Sequence, residues 1–361
     1  MNPQESLDFI KDNLAEIIGI KELEEKVLSG KTLKVYWGTA PTGKPHLGYM
    51  IPMIKIAQLV KAGCEMTIMF ADLHAYLDAM KTSWELLAFR TKYYEELIKQ
   101  LLLVLQVDIN KIKFIRGSEY QLSKEYTIDV YKLASKLSID SAQKAGAEVV
   151  KQSNNPLLSG LIYPILQVLD EVYLNTDAEL GGVDQRKIFM MSHDHIHKIG
   201  YKPNIHLMNR MIPSLTSQLA QKMSSSEANS KIELTETAKS IKKKINKAFL
   251  PEGTSAAPLF EFIRHVIFPV NKLLLRDSFI INRPEQWGKS SPLELCSSAS
   301  GGILSFSSFD HLVDEYINKK LSAPDLKLGI SDWIIELLQP IRDHFETEEM
   351  KELEKSAYSS N

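Results

Sequence analysis

LKVYWGTAPTGKPHLGYMIPMIKIAQLVKAGCEMTIMF, residues 33–70, carries the architecture in miniature. Its opening run, LKVYWGTA (33–40), is short and apolar and ends in small residues, the pattern of a buried strand. The loop PTGKPHLG (41–48) follows, and IPMIKIAQLVKAG then reads as a helix closed by Gly63. EMTIMF begins a second strand at Met66–Phe70. Strand, loop, helix, strand is a βαβ unit, so the expectation is a parallel sheet with helices on its faces. The loop sits where a strand ends and a helix begins, the place where open α/β sheets bind ligands. Backbone N–H groups at a helix start favour phosphate. There His46 could donate to a phosphate oxygen, and Gly48 would let a planar ring approach the backbone; a plain turn with His46 as a cap fits the same residues.

Working outward, residues 2–30 read as helix, with Leu7, Ile10, Leu14, Ile17 and Ile18 at helical spacing and Gly30 as the stop. Downstream, 84–106 is a long amphipathic helix and KIKFIRG (111–117) a third strand. Helical segments cover 124–151 and 158–175, AELGG (178–182) is a strand ending in a turn, DQRKIFMMSHDHIHKIG is helical, and YKPNIHLMN is a strand. From about 231 this alternation gives way to a Lys-rich helix, Pro/Gly loops and further helices. The expected boundary near 228–235 divides the chain into an α/β sheet domain, 1–230, and an α-helical domain, 231–361.

Composition narrows the function classes. At 361 residues and 44% hydrophobic the chain can bury real cores, which excludes a disordered protein. A net charge of −2 excludes nucleic-acid binding by bulk charge, so such a partner would need a local basic patch. Two cysteines, Cys64 and Cys296, exclude a disulfide framework or a multi-cysteine zinc site. The acidic, polar start and the lack of a long apolar run point to a soluble, cytoplasmic protein with no membrane segment.

Four further features carry chemistry. LAQKMSSSEANSK (219–231) offers Lys222, Ser224 and Ser225 as donors to a pyrophosphate, or is a Ser-rich linker. In the helix 161–174, Tyr163, Gln167 and Asp170 form one polar stripe among apolar neighbours, which needs either a polar ligand or a partner helix. GGVDQ (181–185) is a second strand-to-helix turn, where Asp184 could cap the following helix. SIKKKINKAF holds Lys242, Lys243, Lys244 and Lys247, with Lys239 just before; it is either a solvated face or a phosphate-binding patch, and Trp287 in RPEQWG is either core or a base-stacking side chain. His193 and His197 share a helical spacing without acidic or cysteine partners, so no metal site is expected.

HLGY (46–49) and KMSSS (222–226) together resemble the paired HIGH and KMSKS motifs of class I aminoacyl-tRNA synthetases. YWGTAPTGKPH, FADLHAYLD, YQLSKEYT, KAGAEVVKQ, PLLSGLIYP and GGVDQRKIF resemble the eukaryotic and archaeal type of tyrosyl-tRNA synthetase, over residues 30 to 250 and more thinly in RPEQWG and PDLK. The resemblance implies a Rossmann-like catalytic domain followed by an anticodon-binding domain, and tyrosine activation by ATP with transfer to tRNA(Tyr). It implies that Tyr36 and Asp170 hold the tyrosine hydroxyl, and Tyr163, Gln167 and Gln185 the rest of the amino acid. Thr42, His46, Gly48, Asp184 and Lys222 would meet ATP, Asp184 at its ribose, and Ser224 and Ser225 the phosphates, with Mg²⁺ on the departing pyrophosphate. A homodimer is also implied.

Departures are Tyr49 for a second His, Ser226 for a second Lys (a gap a monovalent cation could fill), and Ser214 and Ser217 where glycines would be expected. The acidic stretch ETEEMKELEK leads to the expectation that no appended C-terminal domain is present. Tryptophan activation, a non-catalytic RNA-binding relative and a small-molecule adenylyltransferase are the competing readings; Tyr36 with Asp170 speaks against the first.

Overall fold

A computed structural model describes residues 1–78, 81–150, 157–215, 231–283 and 302–358. Six strands form one sheet in the order β1-β6-β5-β2-β3-β4. The apolar run at 33–40 becomes β2 (Lys34–Thr39), the central strand, with Val35, Tyr36 and Trp37 buried. It pairs in parallel with β3 (Glu65–Phe70) on one side and β5 (Ala178–Gly182) on the other. β4 (Ile112–Arg116) and β6 (Ile205–Asn209) extend the parallel set outward. The crossover from β2 to β3 is α3 (Met50–Lys61), buried along most of its length. The crossover from β3 to β4 is α5 (Trp84–Val104), preceded by the short α4 (Asp72–Leu77). β2 lies between β3 and β5, and the chain's winding direction changes there.

Residues 2–30 are not one helix. They form α1 (Pro3–Lys11), β1 (Leu14–Ile18) and α2 (Ile20–Leu28). Asn13 at φ 57° and Gly19 at φ 83° take left-handed backbone that a right-handed helix cannot contain. Between them Leu14–Ile18 pairs antiparallel with β6, covering what would otherwise be a bare sheet edge. The Lys55 ammonium of α3, almost fully buried, donates to the Ile10 carbonyl at 3.2 Å and to that of Asp12 near the end of α1. Burial lowers its pKa to about 8.

The stretch between β4 and β5 folds as α6 (Ser118–Gln121), α7 (Lys124–Ala134), α8 (Ile139–Gly146) and α9 (Ser159–Tyr173). α10 (Arg186–His195) leads from β5 towards β6. Beyond residue 231 come α11 (Ala238–Lys247), α12 (Pro258–Phe262) and α13 (Phe268–Leu273). This region is not purely helical: β7 (Phe279–Arg283) and β8 (Gly302–Phe306) pair antiparallel, and Phe279 and Ile281 are buried there. The chain continues through α14 (Phe309–Ile317), α15 (Ala323–Phe345) and α16 (Glu348–Tyr358). The hydrophobic core runs without a break from the sheet into these helices. α5 joins the two regions, with the Tyr93 ring edge-on to Phe345 at 5.1 Å and to Tyr358 at 5.0 Å. No described helix is long and apolar enough to cross a membrane.

Within the C-terminal region the Trp333 indole N–H donates to the Asn271 side chain at 3.0 Å, both buried. Asn271→Leu strands that N–H, at an expected cost of about 1–3 kcal/mol. A lowered denaturant midpoint, partly recovered by adding Trp333→Phe, is the expected result; an unchanged midpoint would contradict the assignment.

Candidate active site

A cleft of about 850 Å³ opens at the carboxyl ends of β2 and β5, lined among others by Thr42, His46, Gly48, Tyr163, Asp184 and Gln185. This is the switch point at which doubly wound sheets bind ligands. Six of the expected site residues, drawn from three separate segments, therefore meet there.

The loop after β2 has few bonds of its own and is held from outside. The Thr82 hydroxyl donates to the Pro41 carbonyl at 3.0 Å. Arg90 donates to the Thr42 carbonyl at 3.1 Å, and the Tyr94 hydroxyl donates to that of Gly43. Leu47 N–H donates to the Ile232 carbonyl at 2.9 Å, and Leu234 N–H to that of Pro45 at 3.2 Å. The chain just past 230 is thereby laid alongside the His46 turn. Lys44 pairs with Glu354 of α16, and the Arg90 guanidinium lies 5.1 Å from the centre of the Tyr358 ring.

His46 does act as a cap: its Nδ1 accepts from Gly48 N–H at 3.1 Å. In a neutral ring that bond places the proton on Nε2. The capping and donor roles are therefore compatible. A Cβ at residue 48 would come within 2.8 Å of the His46 ring, so a larger residue there would displace the capping imidazole. Tyr49, in the place of a second His, packs its ring edge-on to Trp37 and sets its hydroxyl 3.1 Å from that of Thr39.

Below the cleft the stripe on α9 meets the sheet. Asp170 is completely buried and accepts from Gln121 Nε2 and from the Tyr126 hydroxyl, each at 2.8 Å. Its second oxygen has no hydrogen-bond partner among the described residues, nor has the buried Tyr36 hydroxyl. Gln167 Nε2 donates to Glu179 at 2.7 Å and to Gln185 at 2.8 Å, linking the buried floor to the cleft wall. The Tyr163 ring stands edge-on to that of His74 at 4.6 Å. Burial raises the Asp170 carboxyl to about 7, against hydrogen bonds that lower it. Burial also lowers His74 to about 3, so that imidazole is neutral and gives Asp170 no counter-charge.

The remaining expected residues divide. Lys222, Ser224, Ser225, Ser226, Ser217 and Trp287 lie outside the described residues. Lys243 is exposed, whereas Lys242 pairs with Asp332 at 3.0 Å and Lys244 with Glu236 at 2.7 Å. α10 ends at His195, and His193 turns to His206, its Nε2 3.2 Å from Nδ1. Among the described residues the group close enough to share an ion is Glu171, Glu179 and His206, none of the three histidines of SHDHIH.

Sequence reasoning missed Gln121, Tyr126, His74, Arg90 and Glu179. Gln121, Tyr126 and His74 reach the site by tertiary packing, with no periodic signal. Glu179 did carry one: a carboxylate inside the short apolar strand AELGG is a residue type almost never buried without a reason.

Asp170 yields a pH test. Its folded pKa of about 7 exceeds the usual aspartate value of about 3.9. The protonated carboxyl therefore favours the fold below about pH 4, and that contribution is lost as pH rises to about 7. Relative to wild type, Asp170→Asn should gain stability across that window, read from paired denaturant midpoints; a flat difference would contradict the assignment.

The geometry agrees with the comparisons to known proteins. The family described as tRNA synthetases class I (W and Y) matches residues 28–339. The cytoplasmic tyrosine–tRNA ligase of Gallus gallus is 48% identical over 357 residues, which are 99% of this chain and 64% of that protein. The chain thus spans under two-thirds of the length of that relative. The cytoplasmic tyrosine–tRNA ligase of Saccharomyces cerevisiae is 44% identical over 99% of this chain and 89% of its own length. The crystal structure of the Archaeoglobus fulgidus tyrosyl-tRNA synthetase complexed with L-tyrosine superposes with a TM-score of 0.82 at 29% identity, covering 94% of this chain and 99% of that one. Sequence match and switch-point cleft lead to one conclusion: the chain belongs to the class I tRNA synthetases of the W and Y family.

Proposed function

We propose that the chain is a tyrosine–tRNA ligase, which activates L-tyrosine with ATP to tyrosyl-adenylate and pyrophosphate and then transfers the tyrosyl group to the 3′-terminal adenosine of tRNA(Tyr). The observation that carries this reading is a pair of buried oxygens beneath the cleft, the Tyr36 hydroxyl and Asp170 Oδ2, that have no hydrogen-bond partner among the described residues. A phenol supplies one donor and one acceptor and satisfies both. An indole supplies a single donor and leaves the Tyr36 hydroxyl stranded. Sites built to pair a hydroxyl reject the analogue lacking it by about 10⁴–10⁵, a figure that itself comes from tyrosine-selective synthetases.

The reaction asks for positioning and charge stabilisation more than for covalent participation by the protein. Tyr163, Gln167 and Gln185 surround the α-amino end and direct the carboxylate toward the α-phosphorus for in-line attack. The turn at His46–Tyr49 offers the His46 ring to the phosphates, beside Thr42 and Gly48. Asp184 accepts from the ribose hydroxyls, and Lys222, Ser224 and Ser225 meet the pyrophosphate as its charge develops. Mg²⁺ would arrive with the nucleotide and offset that charge. A monovalent cation near Ser226 belongs to the same reading and predicts K⁺-dependent exchange.

The charge balance leaves tRNA to a local patch. Lys239, Lys243 and Lys247 are exposed on or beside α11, and the helical region past residue 231 is the proposed anticodon-binding domain. A second copy is the proposed partner for the insert between β4 and β5, where Leu122, Tyr131, Ile139 and Leu158 are each about two-thirds or more exposed. Cytoplasmic residence follows the curated relatives.

ATP–pyrophosphate exchange tests the proposal. It should depend on tyrosine and be absent with tryptophan or with no amino acid; exchange without tyrosine, or none at all, contradicts it. Lys222→Ala should slow exchange by about 10²–10³ while leaving tyrosine affinity essentially intact. An unchanged rate would remove Lys222 from the chemistry.

A further inference from the structure

Two buried carboxylates that bind no expected substrate group lie under the tyrosine pocket, and their surroundings differ. Glu171 accepts from Ser192 at 2.9 Å and from Asn204 N–H at 3.1 Å, and its other oxygen is 2.9 Å from His206 Nε2. Both its oxygens are occupied. Glu179 accepts from Gln167 on Oε1, while its buried Oε2 has no hydrogen-bond partner among the described residues. Parallel pairing sets Glu179 directly beside Tyr36 on β2 and His206 on β6, so the three side chains share one face of the sheet.

We propose that Glu179 is a specificity-determining residue of the tyrosine pocket: as the neutral acid it donates from Oε2 to the Tyr36 hydroxyl and so fixes the direction of the hydrogen-bond chain that reads the substrate phenol. The chain runs from Glu179 to Tyr36, from the Tyr36 hydroxyl to the phenol oxygen, and from the phenol hydroxyl to Asp170 Oδ2. Each proton is used once, and the three orphaned oxygens are all satisfied. An ionised Glu179 would instead accept the Tyr36 proton and leave Tyr36 nothing to donate to the substrate. Burial, reinforced by the negative charges of Glu171 and Asp170 and opposed by the contacts with Tyr36 and Gln167, raises the Glu179 pKa well above the usual range, which favours the neutral acid.

This rests on the proposed tyrosine activation, and the test separates the two. Exchange kinetics are measured for wild type, Glu179→Gln and Glu179→Leu, with tyrosine and phenylalanine as substrates. The glutamine variant keeps a donor and an acceptor in place and should retain the wild-type tyrosine KM and preference for tyrosine. The leucine variant should raise the tyrosine KM about tenfold or more, the loss of one hydrogen bond, and narrow the tyrosine preference, with the ATP KM unchanged. A glutamine variant as impaired as leucine, or a leucine variant with unchanged tyrosine KM, overturns the proposal. If leucine prevents folding, glutamine alone decides: retained kinetics support the neutral donor, and a raised tyrosine KM overturns it. Lack of tyrosine-dependent exchange in the wild type would instead defeat the functional reading itself.

Discussion

The short parallel ladder between β2 and β5 governs the rest of the molecule. Val35 pairs with Ala178, Tyr36 with Glu179 and Trp37 with Leu180. Above it the two strands end and their loops diverge, which opens the cleft; beside it the pairing sets Tyr36 against Glu179. Side chains alternate faces along a strand, so a slip of one residue would send Tyr36 to the opposite face. The cleft would survive such a slip and its floor would not. Burial of Val35 and Trp37 holds the register that brings a polar hydroxyl to the face covered by α9.

That coupling explains why the polar floor is costly and still retained. Asp170, Glu171 and Glu179 are all almost fully excluded from water. Glu171 has three hydrogen-bond partners, whereas among the described residues Asp170 and Glu179 each keep an oxygen without one. Unpaired polar atoms in an interior weaken a fold. Placed beneath a ligand cleft, they store selectivity for a group with the complementary donor and acceptor.

The βαβ unit at 33–70 was legible because strand and helix periods change at a Pro/Gly loop, and the α9 stripe because three polar residues recur at helical spacing. β1 was not. Leu14, Ile17 and Ile18 fit a helical period, and only the left-handed residues Asn13 and Gly19, together with the open edge of β6, make Leu14–Ile18 a strand. The β7–β8 pair was hidden among helical patterns for a related reason: its partners are separated by residues 284–301, so no short turn announces it. Six cleft residues could be named from motifs, but their supports could not. Arg90, Tyr94, Glu354 and Leu234 reach the His46 loop from distant parts of the chain. Placing the expected boundary near 228–235 also concealed how closely the later helices pack on α5 and on that loop.

In the proposed reading a phenol hydroxyl completes the floor of the cleft, and a crystal structure of the chain with L-tyrosine is the decisive test. The phenol oxygen should lie about 2.6–3.0 Å from both the Tyr36 hydroxyl and Asp170 Oδ2, with the amino group near Tyr163, Gln167 and Gln185. A tyrosine bound with its hydroxyl directed elsewhere, and Tyr36 and Asp170 still unpaired, would contradict it.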